Sequence, residues 1–111
     1  MKIYLGGPMR GYHEFNFSAF NRAAERLRAQ GYEVFSPAEK GCETNLTEAK
    51  ADTMAFRRRV FSMDTGWICK HAEAVALLPG WESSSGATAE RALAETLGLT
   101  IIILGREYTD A

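Results

Sequence analysis

The chain has 111 residues with 13 basic and 14 acidic side chains, a formal net charge of −1, so no bulk field draws it to a nucleic-acid polymer or an anionic membrane, and an anionic ligand must be held locally. That length suits a single domain, expected over residues 1–111, with one sizeable core. No apolar run approaches the roughly 20 residues needed to span a bilayer. The start, MKIYLGGPMRG, lacks the apolar core of a signal peptide. Cys42 and Cys69, with no CxxC and no nearby histidine pair, read as reduced thiols. The resulting expectations are a cytoplasmic protein with no metal and no organic cofactor.

Lys2 to Leu5 reads as a first strand stopped by Gly6-Gly7-Pro8. Phe17, Phe20, Ala24 and Leu27 follow at helical spacing, and Gly31 is placed to cap that helix. Tyr32 to Phe35 is the second strand, ended by Ser36-Pro37, and residues 36–46 read as a loop near the site or an insertion. A longer helical region, with room for a break, runs from about Thr47 to His71, where Phe56, Val60, Met63 and Trp67 repeat at spacings of four, three and four. Ala74 to Leu78 and Thr100 to Leu104 are continuous apolar runs, as expected of strands covered on both faces. Between them Gly86 to Leu97 forms the last helix, closed by Gly98.

This alternation predicts an α/β fold: a flavodoxin- or Rossmann-like parallel sheet of about four strands in the order 2-1-3-4, with helices on both faces. The order reverses between strands 1 and 3, and ligands of open α/β sheets bind beside such a reversal at the carboxyl ends of the strands. The two segments placed there, GGPMRG and PGWESSSGATAE, are the richest in glycine and serine.

Ser83, Ser84, Ser85 and Gly86 open the last helix, where free backbone N–H groups and the helix dipole favour an anion. A serine there also serves simply as a helix cap. Arg10 is placed to clamp a phosphate or to sit solvated at the surface. Glu90 shares a helical face with Gly86, Leu93 and Leu97, which puts a carboxylate toward the sheet, where an unpaired charge is expensive. Asp64 shows the same discord among Val60, Phe61, Trp67 and Ile68, unless it pairs with Arg57 or Lys70. Two inward acids on different helices can divide nucleophile and proton handling at one sugar carbon. His13 and His71 have no partner at metal or triad spacing, Arg57 to Arg59 read as a solvated helix side, and Trp81 either stacks on a base or covers the core edge.

The opening KIYLGGPMRG, the segment FNFSAFNRAAERLRAQGYEVFSPAE and the later Asp64…AVALLPGWESSSGATAE resemble a phage and bacterial family of uncharacterised function. That family looks like a branch of the nucleoside 2-deoxyribosyltransferase-like superfamily, which includes the 2'-deoxynucleoside 5'-monophosphate N-hydrolases. The resemblance covers nearly the whole chain and implies a flavodoxin-like sheet. It also implies a glutamate nucleophile at Glu90, after the GxxxE segment Gly86 to Glu90, and sugar contact or proton transfer by Asp64. By the same resemblance, Tyr4 stands at a site tyrosine, Gly6 in the ligand loop, Arg10 at a phosphate-contacting arginine, and Ser84, Ser85 and Gly86 at the phosphate loop. Because those hydrolases complete the site from a second subunit, a homodimer is implied. Here Ala72-Glu73 replaces an Ala-Asp common in the relatives, and the GWE beside the site differs from both enzyme groups.

The functional expectation is cleavage or transfer of the N-glycosidic bond of a 2'-deoxynucleotide or nucleoside. The rivals are a non-catalytic nucleotide-binding sensor and a phage interaction protein with a vestigial crevice.

Overall fold

The computed structural model describes residues 1–39 and 52–111. Strands β1 (Lys2–Gly6), β2 (Glu33–Phe35), β3 (Ala74–Leu77) and β4 (Thr100–Ile103) form one sheet in the order β2-β1-β3-β4. Every neighbouring pair is parallel, and the register sets Tyr4 beside Val75 and Gly6 beside Leu77. This is the α/β topology expected from the alternating sequence pattern. Strand ends differ from the sequence reading by single residues: β1 runs on through Gly6, whereas Tyr32, Leu78 and Leu104 fall just outside their strands.

Three α-helices lying wholly within the described residues complete the layers: α1 (Phe17–Ala29), α2 (Met54–His71) and α3 (Ser85–Leu97). Their boundaries follow local chemistry. The Thr53 hydroxyl accepts from Phe56 N at the start of α2, and the Ser84 hydroxyl accepts from Ala87 N at the start of α3, each at 3.2 Å. Gly98, at φ 69°, ends α3 in the left-handed conformation that glycine adopts without strain.

Side chains alternate across the sheet. Ile3, Leu5, Ala74 and Ala76 pack with Phe20, Ala23, Ala24 and Leu27 of α1. Tyr4, Val75 and Leu77 point to the other face, against Ile68 of α2 and Ala87 and Ala94 of α3. Helices therefore cover both faces.

Two expected stripes are displaced. On α3 the buried positions are Ala87, Glu90 and Ala94, while Leu93 is half-buried and Leu97 is 44% exposed. The small alanines let the helix lie close on the sheet, so its contact line passes one residue away from the leucines. On α2 the buried residues are Asp64 and Ile68; Phe56, Val60 and Met63 line a cavity instead of facing the sheet. The helical reading over 47–71 applies to its described part from Met54, and residues 47–51 and Cys42 lie outside the described residues. Of the expected 36–46 loop, Pro37–Glu39 are already helical and 40–46 lie outside the described residues. The Cys69 thiol is free and exposed.

β4 is an outer strand: among the described residues it pairs only with β3, and its Ile103 is 58% exposed. No described helix is long and apolar enough to cross a membrane.

Candidate active site

A cavity of about 580 Å³ opens at the carboxyl end of β1, the neighbour of β3, between the loop after β1, helix α2 and the start of α3. Its wall contains all eight residues singled out in the sequence: Tyr4, Gly6, Arg10, Asp64, Ser84, Ser85, Gly86 and Glu90.

At the floor stand three polar side chains from three elements. Tyr4 of β1, Asp64 of α2 and Glu90 of α3 are 1%, 6% and 5% exposed. The Tyr4 hydroxyl donates to Glu90 Oε2 at 2.5 Å, a short contact of the charge-assisted kind. Asp64 Oδ1 is buried with no hydrogen-bond partner among the described residues. The alternative of an ion pair with Arg57 is not realised, because Arg57 grips Asp52 instead, Nε to Oδ1 at 2.7 Å and Nη2 to Oδ2 at 2.5 Å.

Burial pushes the Glu90 carboxyl up to about 8; the Tyr4 hydrogen bond opposes this and the nearby Asp64 charge adds to it. Burial also raises Asp64 to about 6, against the stabilising pull of the Tyr4 hydroxyl. Tyr4 itself is pushed well above its ordinary value, first by burial and then by the two acids it faces. The phenol therefore stays neutral at any ordinary pH.

Glycine is required where the acid meets the sheet. A Cβ on Gly6 would lie 3.0 Å from Glu90 Oε1 and 3.1 Å from Leu77 Cδ2, so the bare backbone makes room for the carboxylate. Gly86 differs: a Cβ there would meet only Ser84 Oγ at 4.0 Å. Packing does not demand that glycine. The Ser84 hydroxyl is committed to the cap, as the plainer reading of the serines held.

The cavity mouth is electrostatically mixed. Arg10 Nε lies 3.7 Å from Asp52 Oδ1, a loose pair with the arginine side chain 54% exposed. Asp52, held below the usual carboxylate range by Arg57, and Arg57 itself were absent from the sequence-based site, and Arg57 departs from the solvated reading of its triplet. The signal available was weak, since a run of three arginines on a helix is usually a solvated face. Much of the remaining wall is apolar, with Phe15, Phe17, Phe56, Phe61 and Met63 prominent, and Arg58, Tyr12 and Ser83 also line it.

Trp81 lies outside this wall. Arg91 stacks over its ring at 4.9 Å, and Trp81 packs against the α2/α3 side of the core, which leaves it as a cover for the core edge. His13 pairs loosely with Glu14 at 3.6 Å on the surface, and His71 lies against Trp67.

The fold and site together define an open, flavodoxin-like α/β sheet with an acidic cavity at its topological switch point. The chain belongs to the family described as Domain of unknown function (DUF4406), whose model matches residues 1–103. No curated protein and no solved structure matches it.

Proposed function

We propose that this protein cleaves the N-glycosidic bond of a 2'-deoxynucleotide, with Glu90 as nucleophile and Asp64 as the acid that serves the leaving base. The observation that carries the reading is a pair of inward-facing acids, 5% and 6% exposed, set at the cavity floor where packing alone would place apolar side chains. The resemblance to the deoxyribosyltransferase-like superfamily supplies the reaction class.

In this mechanism ionised Glu90 attacks C1' of the sugar as the C1'–N bond breaks, and Asp64 gives a proton to the base. Water, activated by the same Asp64, then releases the sugar from Glu90; a second base in place of water makes the reaction a transfer. A 5'-phosphate fits the polar rim, where the open backbone at Gly86 and the loosely paired Arg10 offer amide and guanidinium donors. The resemblance also supports a homodimer. Met54, Phe61 and Met63, exposed by 64%, 36% and 43% beside the cavity, are apolar surface a second copy would cover.

One observation favours a second reading. A Glu90 carboxyl raised to about 8 is mostly protonated at neutral pH, which suits a nucleotide-binding module that does no chemistry. Incubating the protein with the four deoxynucleoside monophosphates and resolving free base by chromatography separates the two. Free base supports the glycosidase; saturable binding without free base supports the sensor.

A further inference from the structure

A nucleophilic carboxylate that is protonated in the resting site must lose its proton before it attacks, and an acid that serves the leaving group must gain one. Tyr4 stands between the two requirements. Its hydroxyl is bonded to Glu90 Oε2 and also faces Asp64, whose ionised form it stabilises. Asp64 Oδ1 is buried and accepts no hydrogen bond among the described residues. Among the described residues, Tyr4 of β1 and Asp64 of α2 are the titratable side chains that act on Glu90 of α3. Arg91 is turned away toward Trp81 and Glu95, while Arg10 and Arg57 are engaged with Asp52 at the mouth.

We infer that Tyr4 is a proton relay joining Glu90 to Asp64, so that the proton leaving the nucleophile is the one later delivered to the base. This deepens the glycosidase reading and rests on it. Before the shift, protonated Glu90 donates to the Tyr4 oxygen and the Tyr4 hydroxyl points to ionised Asp64; the Tyr4-to-Glu90 bond seen in the structure is the arrangement after it. A concerted shift passes the Glu90 proton to Tyr4 as the Tyr4 proton passes to Asp64. Glu90 becomes a carboxylate that accepts from Tyr4, Asp64 becomes a neutral acid, and Tyr4 is a neutral phenol before and after. Concert is required because burial beside two acids forbids a tyrosinate. Asp64 then protonates the base as Glu90 bonds C1'. Water later gives its hydroxide to C1' and its proton to Asp64, Glu90 departs as carboxylate, and the reverse shift restores the resting site. One water is consumed, and the proton count closes.

Tyr4→Phe removes the relay while keeping the ring that stacks on Phe35 with centroids 5.6 Å apart. The direct test is carbon-13 NMR of the Glu90 and Asp64 carboxyl carbons across pH 4 to 10, in wild type and Tyr4→Phe, with folding of the variant checked by its urea midpoint. A relay couples the two sites, so in wild type each carbon responds at both titration steps; in Tyr4→Phe each is expected to follow a single step. Unchanged two-step curves in the variant would overturn the relay, whether or not the protein turns over. Failure of the glycosidase reading shows separately, as absence of free base from wild type.

The kinetic arm uses a monophosphate whose base is a pyridinium cation at every pH, nicotinamide, beside an ordinary one. Tyr4→Phe should lose on the order of 100-fold or more on the ordinary substrate at pH 7. It should recover to within about tenfold of wild type on the cationic one at pH 9, where solvent removes the Glu90 proton and no acid is needed. An equal loss under both conditions would reduce Tyr4 to a residue that merely positions Glu90.

Discussion

On the α1 face of the sheet, Ile3, Leu5, Ala74 and Ala76 meet Phe20, Ala23, Ala24 and Leu27 in a wholly apolar cluster; on the opposite face, Tyr4, Val75 and Leu77 share their layer with the buried acids Asp64 and Glu90. The same strands build both layers, with alternate residues on each. The first is organised by packing alone. The second forgoes apolar contact at two inward positions and gains a cavity floor with titratable oxygens, which is the usual conflict between a functional site and its fold.

The contrast breaks most sharply at Glu90. Glu90→Gln keeps the shape of the side chain but has no anion to attack with, so base release should fall by about 10⁴-fold or more while a monophosphate still binds. Near-normal turnover in this variant would remove the covalent mechanism. Asp64→Asn comes next, with a loss of about 10²–10³-fold on bases that need protonation and a smaller loss on good leaving groups. Equal losses for all bases would reassign Asp64 to holding the sugar.

Stability against pH separates the two layers without any substrate. Both acids have folded-state values above their ordinary ones, at about 8 for Glu90 and about 6 for Asp64. The folded protein therefore binds more protons than the unfolded chain between the ordinary carboxylate range and about pH 8, and stability must fall as pH rises through that window. Urea unfolding should show a decline on the order of 2–4 kcal/mol between pH 5 and pH 8. Leu27→Ala, on the α1 side, should lower stability by about 2–5 kcal/mol at both pH values and leave the slope intact. The Glu90→Gln, Asp64→Asn double variant should flatten it. A wild-type midpoint that stays level or rises over this range would mean the acids are not buried in their neutral forms.

The smallest expected effect lies at the rim. Arg10→Ala should narrow the preference for a monophosphate over its nucleoside by about tenfold, because an exposed guanidinium gives up part of its attraction to solvent. Equal wild-type affinities for nucleoside and monophosphate, measured by calorimetric titration, would sink the phosphate assignment and point to a nucleoside substrate.

The sheet order was legible in the sequence because continuous apolar runs and crossover helices leave few topologies. Glu90 and Asp64 were legible for a different reason: each is an acid at an apolar phase of its helix, a conflict visible without coordinates. Tyr4 as a partner of Glu90 was not, because the two are 86 residues apart and tyrosine is ordinary in a buried strand. The leucine stripe of α3 was misplaced since hydrophobic size suggests Leu93 and Leu97, whereas close packing selected Ala87 and Ala94. Asp52 went unremarked and Arg57 was read as solvated because an ion pair at a cavity rim has the same composition as any solvated surface.

The outer position of β4 has a consequence for handling the protein. Thr100–Ile103 is a β-branched run with no charge and no proline, and Ile103 faces outward. Backbone donors and acceptors on such a border are a ready template for an added strand. Charged side chains, proline or a bulge commonly deter that association, and none lies within this run. The first charge after it is Arg106, past the strand end. Partly unfolded chains at high concentration thus meet a sticky, ordered seam on their folded neighbours, and refolding from denaturant proceeds most cleanly when the chains are dilute.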